Sequence, residues 1–136
     1  MLHSVSNLAQ QAKVRSHYQE VDLQSKLETA DPYTLVKILY EELENCLLVL
    51  KAVDGRKENI ADHREAHRAH SIVVALLSGL SDSDNDTLCN ILADVYHTMA
   101  ATIRIIIRAG DSSQLDELLD GLANIQTAWL RIPDLK

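Results

Sequence analysis

The chain has 136 residues, a formal net charge of -7, 4% aromatics and no Phe. That length suits one domain with a core of its own, and without Phe the core must be largely aliphatic. The charge argues against a nucleic-acid backbone as the main partner. No apolar run is long enough to span a membrane, so neither nucleic acid nor membrane is an expected partner.

Residues 1–30 mix Leu8, Ala12, Tyr18, Val21, Leu23 and Leu27 with polar side chains at loose spacing. They are expected to form an N-terminal arm or a short extra helix. The first firm helix begins at Asp31-Pro32, where Asp31 can cap free N–H groups and Pro32 suits the first helical position. Leu35, Ile38, Leu39, Leu43, Cys46, Leu50 and Val53 then form one apolar stripe. Asp54-Gly55 is the expected stop, with Gly55 in the left-handed position after the helix.

Asn59 with Asp62 is the expected cap of the second helix. Its apolar side is Ala66, Ala69, Val73, Leu76, Leu77 and Leu80, with Ile72 alongside. Gly79 and the Ser-Asp run after Leu80 end it. The third helix carries Leu88, Leu92, Val95, Met99, Thr102 and Ile106, and Ile91, Tyr96 and Ile103 widen that stripe. Such breadth calls for more than one neighbour. Gly110 ends it. Ser113 with Asp116 reads as a capping box for the last helix, with Asp111 and Ser112 competing. Leu115, Leu118, Leu122, Ile125, Trp129 and Ile132 follow at helical spacing until Pro133, and Trp129 is expected to seal the end of the core. Short connections between long helices favour antiparallel neighbours. The expected fold is therefore all-α, an antiparallel up-down four-helix bundle over residues 31–136.

Catalysis finds little footing. No glycine-rich phosphate loop or spaced nucleophile and base set is present, so no enzyme and no cofactor are expected. His63, His67 and His70 share one helical face. Three imidazoles so spaced can ligate a metal, yet on a polar half-helix they more often form a solvated or groove-lining surface, and no metal is expected. A phosphotransfer bundle would use an exposed His such as His70, but bulky Ile72, Val73 and Val74 follow it. That signalling role and a structural homo-oligomeric module are the alternative readings. Cys46 and Cys89 lack metal spacing and suit a reducing compartment. The N-terminus has no signal-peptide core, and a cytosolic location is expected. Tyr40, Leu47, Leu48, Ile105 and Ile107 lie partly outside their stripes and exceed what one stripe needs. They admit tight packing, a weak homodimer, or a groove for a partner helix.

The stretch Thr29-Ala30-Asp31-Pro32, followed by Leu35, Leu39 and Tyr40, resembles the flagellar export chaperones that hold flagellin before secretion. Arg68-Ala69, Ile72-Val73, Leu76, Leu80, Leu88, Leu92, Val95-Tyr96, Met99 and Ile103 continue the pattern in order, as do Asp111, Leu118-Leu119, Leu122 and Ala128-Trp129. Glu41-Glu42 replaces the usual Asp-Gly, and Asn85-Asp86 replaces a Gly pair. The resemblance implies a non-catalytic chaperone for the disordered C-terminal segment of flagellin, which keeps that segment from polymerising early. It implies a client-binding surface near Tyr40, Ile72, Leu76 and Tyr96, to which Leu47 and Ile103 are added from the apolar pattern. It also implies a groove-capping arm carrying Tyr18, Gln19 and Leu27.

Overall fold

The computed structural model describes residues 31–80 and 87–132. Among them are four helices and no strand: α1 (Pro32–Gly55), α2 (Arg64–Ser78), α3 (Thr87–Ala109) and α4 (Leu115–Leu130). The all-α class is as the apolar periodicity predicts. The chain divides into two compact units, Met1–Leu35 with Lys136, and Val36–Leu135. Of the first, the described residues are the opening turn of α1. There Asp31 Oδ1 accepts the Thr34 N–H at 2.7 Å, the N-cap bond expected of it.

The second unit holds the core. Each helix contributes: Tyr40, Leu43, Leu47 and Leu50 from α1, Ala66, Ala69 and Val73 from α2, Tyr96, Met99, Ile103 and Ile106 from α3, and Leu115, Leu118 and Leu122 from α4. α2 and α3 run antiparallel. His70 lies 3.4 Å from Arg104, and further along, the Asp62 N–H donates to the Ile107 carbonyl at 2.8 Å. α1 and α4 also run in opposite senses, since the Tyr40 ring meets Trp129 while Lys51 pairs with Asp116 at 2.8 Å. Arg68 and Glu42, half-buried, join α2 to α1 at 3.1 Å.

Three helix ends differ from the sequence expectation. Gly55 is the last residue of α1, and the left-handed residue after it is Lys57, with φ 65°. Lys57 N–H donates to Asp54 O, and Glu58 N–H donates to Val53 O. This paired closure needs a left-handed residue at 57. Asn59 and Asp62 do not cap α2. Asn59 Oδ1 accepts the Ala61 N–H at 3.0 Å, turning the chain so that Ile60 is wholly buried. Asp62 is left-handed at φ 56°, so α2 cannot start before it. His63 caps instead, its Nδ1 accepting the Glu65 N–H at 3.0 Å. At α4, Asp111 Oδ1 accepts the Ser113 N–H, and Gln114 precedes the helix without a side-chain cap, so no Ser113–Asp116 box forms.

Gly110 follows α3 at φ 66° and faces the Asn59 carboxamide so closely that a Cβ would collide with its oxygen and crowd Ala61. The loop after α1 is thereby pressed onto the end of α3, with Ile60 as its plug.

Tyr40 and Tyr96 are both buried, and their hydroxyls share a hydrogen bond of 2.6 Å between α1 and α3. Trp129 meets the Tyr40 ring edge-on at 6.0 Å and is only part-buried. Burial raises both phenols above their ordinary range, and for Tyr40 the neighbouring Tyr96 adds to the rise.

Tyr40→Phe or Tyr96→Phe alone strands one buried hydroxyl and should cost about 1–3 kcal/mol. The double variant Y40F/Y96F should cost less than the two singles summed, as urea unfolding midpoints will show. The folded chain keeps its phenol protons at pH values where unfolded tyrosines, near pKa ~10, release theirs. The unfolded state then binds fewer protons, so stability should fall as pH rises past about 10. In Y40F/Y96F that alkaline loss should shrink, measured by the same midpoints across the alkaline range.

Candidate functional site

α3 carries two apolar rows. One is the core face of Tyr96, Met99, Ala100, Ile103 and Ile106. The other runs Leu88, Ile91, Val95, Thr98, Thr102 and Ile105, alternating steps of three and four along one helical flank for roughly 26 Å. The second row is not enclosed. Leu88 is 38% exposed, Ile91 55% and Ile105 43%, with Thr98 exposed and Val95 and Thr102 half-buried.

Between this row and α4 lies a groove of about 370 Å³. Val95 and Met99 on α3 and Leu118 on α4 form its apolar floor, with Thr98 and Thr102 along one wall. Asp94 and Glu117 stand at its rim. Gly121 belongs to the α4 wall, and a Cβ built there meets no atom within 4 Å. Where a larger residue would fill the trench, glycine leaves it open. The groove is apolar below and acidic at the rim, with no nucleophile and base set among its lining residues. Its chemistry is that of holding a helix or extended chain by burial. A smaller cleft of about 80 Å³ lies between Tyr40, Lys37 and Glu41 on α1 and Gln126, Trp129 and Leu130 on α4.

The six residues expected at a client surface are all buried: Tyr40, Leu47, Tyr96 and Ile103 at 1% exposure or less, Leu76 at 4% and Ile72 at 7%. They lie in the core cluster, and Tyr40 also lines the small cleft. Tyr18, Gln19 and Leu27 lie outside the described residues. Sequence reasoning missed Thr98 and Gly121 and assigned Val95 and Thr102 wholly to the core stripe. The signal was present, because Leu88, Ile91, Val95, Thr98, Thr102 and Ile105 repeat at heptad spacing beside the core row.

The three histidines have separate duties. His63 caps α2, His67 pairs with Asp62 at 2.5 Å, and His70 meets Arg104. Among the described residues no group of His, Cys, Asp and Glu is placed to hold a metal.

A family model described as flagellar protein FliS matches residues 14–135. The chain belongs to the FliS family. It is also 26% identical over 116 residues to the flagellar secretion chaperone FliS of Vibrio cholerae serotype O1, covering 85% of each chain. No solved structure matches it. The residues matched to the FliS model include both groove helices, α3 and α4. Among the described residues, no helix is long and apolar enough to cross a membrane.

Cys46 sits in the core, and its thiol is pushed up to about 12, first by burial and then by the neighbouring Glu65 carboxylate. Cys89 is only partly buried. A thiol reagent at mildly alkaline pH should leave Cys46 untouched in the folded protein. In Cys89→Ser, labelling should appear only once denaturant unfolds the chain, followed by mass spectrometry.

Proposed function

We propose that this protein is a non-catalytic export chaperone that binds the C-terminal segment of flagellin, keeps it from polymerising, and releases it for secretion. Membership of the FliS family and the name of the Vibrio cholerae relative support the flagellar client. The single structural observation that carries the reading is the open trench between α3 and α4, continuous with the exposed row from Leu88 to Ile105. A client helix laid there would cover Ile91, Val95 and Leu118, and its affinity would come from apolar burial at roughly 25 cal/mol per Å², less the cost of ordering the segment.

The six buried residues act from beneath in this scheme. Tyr40, Leu47, Tyr96 and Ile103 set the spacing of the helices that wall the groove. Ile72 and Leu76, less tightly enclosed, are the two that a small side-chain shift would bring to the surface. The phosphotransfer alternative gains no support at His70, whose ring nitrogen faces the Arg104 guanidinium at 3.4 Å.

Isothermal titration with a synthetic flagellin C-terminal peptide should give one-to-one binding. Gly121→Leu should fold at least as stably as the parent, because leucine favours helix over glycine by about 1 kcal/mol and meets open space. The same variant should lose at least tenfold in peptide affinity, about 1.4 kcal/mol. Full affinity in a folded Gly121→Leu protein would remove the groove as the client site, and absence of heat with the parent at high micromolar peptide would sink the proposal.

A further inference from the structure

The flank of α3 opposite the groove has a different character. His97, Ala101, Arg104 and Arg108 recur at steps of four, three and four, and all four are exposed. Antiparallel α2 lies beside them, with His67, His70 and Val74 along its matching edge, and Arg104 reaches His70 at 3.4 Å. In a chain with 20 acidic and 13 basic residues, α3 has no carboxylate after Asp94, and α2 has none after Glu65.

Acids on or beside the neighbouring helices are engaged elsewhere. Asp62 pairs with His67, Glu65 with Arg64, Glu42 with Arg68, and Asp111 accepts the Ser113 N–H. Arg108 is in the last turn of α3, where the helix dipole favours a cation. Arg104 has no such reason. Its guanidinium meets His70 Nε2 at 3.4 Å, Arg108 stands one turn away as a like charge, which costs a little stability, and no acidic partner answers either arginine among the described residues.

We infer that the α2–α3 flank is a second docking surface, taking an acidic helical segment of a partner protein whose carboxylates, one turn apart, pair with Arg104 and Arg108. Arg104 and Arg108 stand one helical turn apart along α3, which matches carboxylates at the same step on a partner helix. Val74, 43% exposed, and the small Ala101 provide an apolar seat beside them. The parallel ridges of two helices form a shallow channel suited to a third. The chain's net charge of -7 repels a long polyanion while leaving this local pairing intact, which favours a short acidic protein segment over nucleic acid.

The test uses the full chain, isotopically labelled, and a synthetic amphipathic helical peptide with glutamates one turn apart. Its glutamine counterpart and a single-stranded oligonucleotide serve as further probes. The acidic peptide should shift amide resonances along α2 and the His97–Arg108 flank, and the glutamine peptide should not. R104Q/R108Q, checked for folding by circular dichroism, should weaken the acidic peptide by about tenfold or more while binding the flagellin peptide as the parent does. Gly121→Leu should leave acidic-peptide binding unchanged, so this surface and the groove succeed or fail separately. Shifts confined to another face, equal binding by R104Q/R108Q, equal binding of the glutamine peptide, or tighter binding of the oligonucleotide on this flank would each overturn the inference.

Discussion

The hydrogen bond between the Tyr40 and Tyr96 hydroxyls is the constraint on which the rest of the second unit hangs. In a core built mostly of aliphatic side chains, Tyr40 and Tyr96 are the largest fully buried residues, and each brings a polar tip that must be answered. They answer each other at 2.6 Å. Aliphatic packing alone tolerates rotation and sliding of one helix on another. A paired hydroxyl does not, because a shift of about 1 Å leaves two buried groups unsatisfied. The Tyr40 ring also carries Trp129 on its edge, so the pair ties α1 to both α3 and α4.

That tie sets how α3 presents itself. With Tyr96 turned into the core, the helix has only one rotation available, and the row from Leu88 to Ile105 must face α4 obliquely. α4 covers part of it through Leu118, but Gly121 provides no side chain to close the gap. The trench is therefore a consequence of core geometry combined with one missing side chain. The same rotation sends Arg104 to the α2 side, where it meets His70, so a single helix separates an apolar surface from a basic one.

The loop between α1 and α2 shows how a connection can govern an end of the structure. Ile60, Asp62 and Gly110 are close in space because the Asp62 N–H bonds to Ile107 O and Gly110 leaves room for Asn59. Two non-glycine residues, Lys57 and Asp62, accept left-handed conformations there. Such conformations are unfavourable in isolation and persist where surrounding contacts repay them, here the burial of Ile60.

Much of this was legible in the chain. The apolar period of 3.6 marked the four helices, and Asp31-Pro32 marked the start of α1, because those signals are local and need no partner. The caps at Asn59 and Ser113 misled, since a short polar side chain can bond equally well in a turn, and which bond forms depends on what Ile60 and the end of α3 demand. The site was harder to read. Periodicity says that a residue is apolar and on a given flank, but not which of two adjacent flanks a neighbour covers. Tyr40, Leu47, Tyr96 and Ile103 carry the same signal as residues on an open surface, and only the placement of the other helices buried them. Sequence alone determined the helices, the charge and the family resemblance, because each is written in the order of residues. Tertiary structure decided which apolar row became core and which became groove, because burial belongs to the arrangement of several helices and to no one of them.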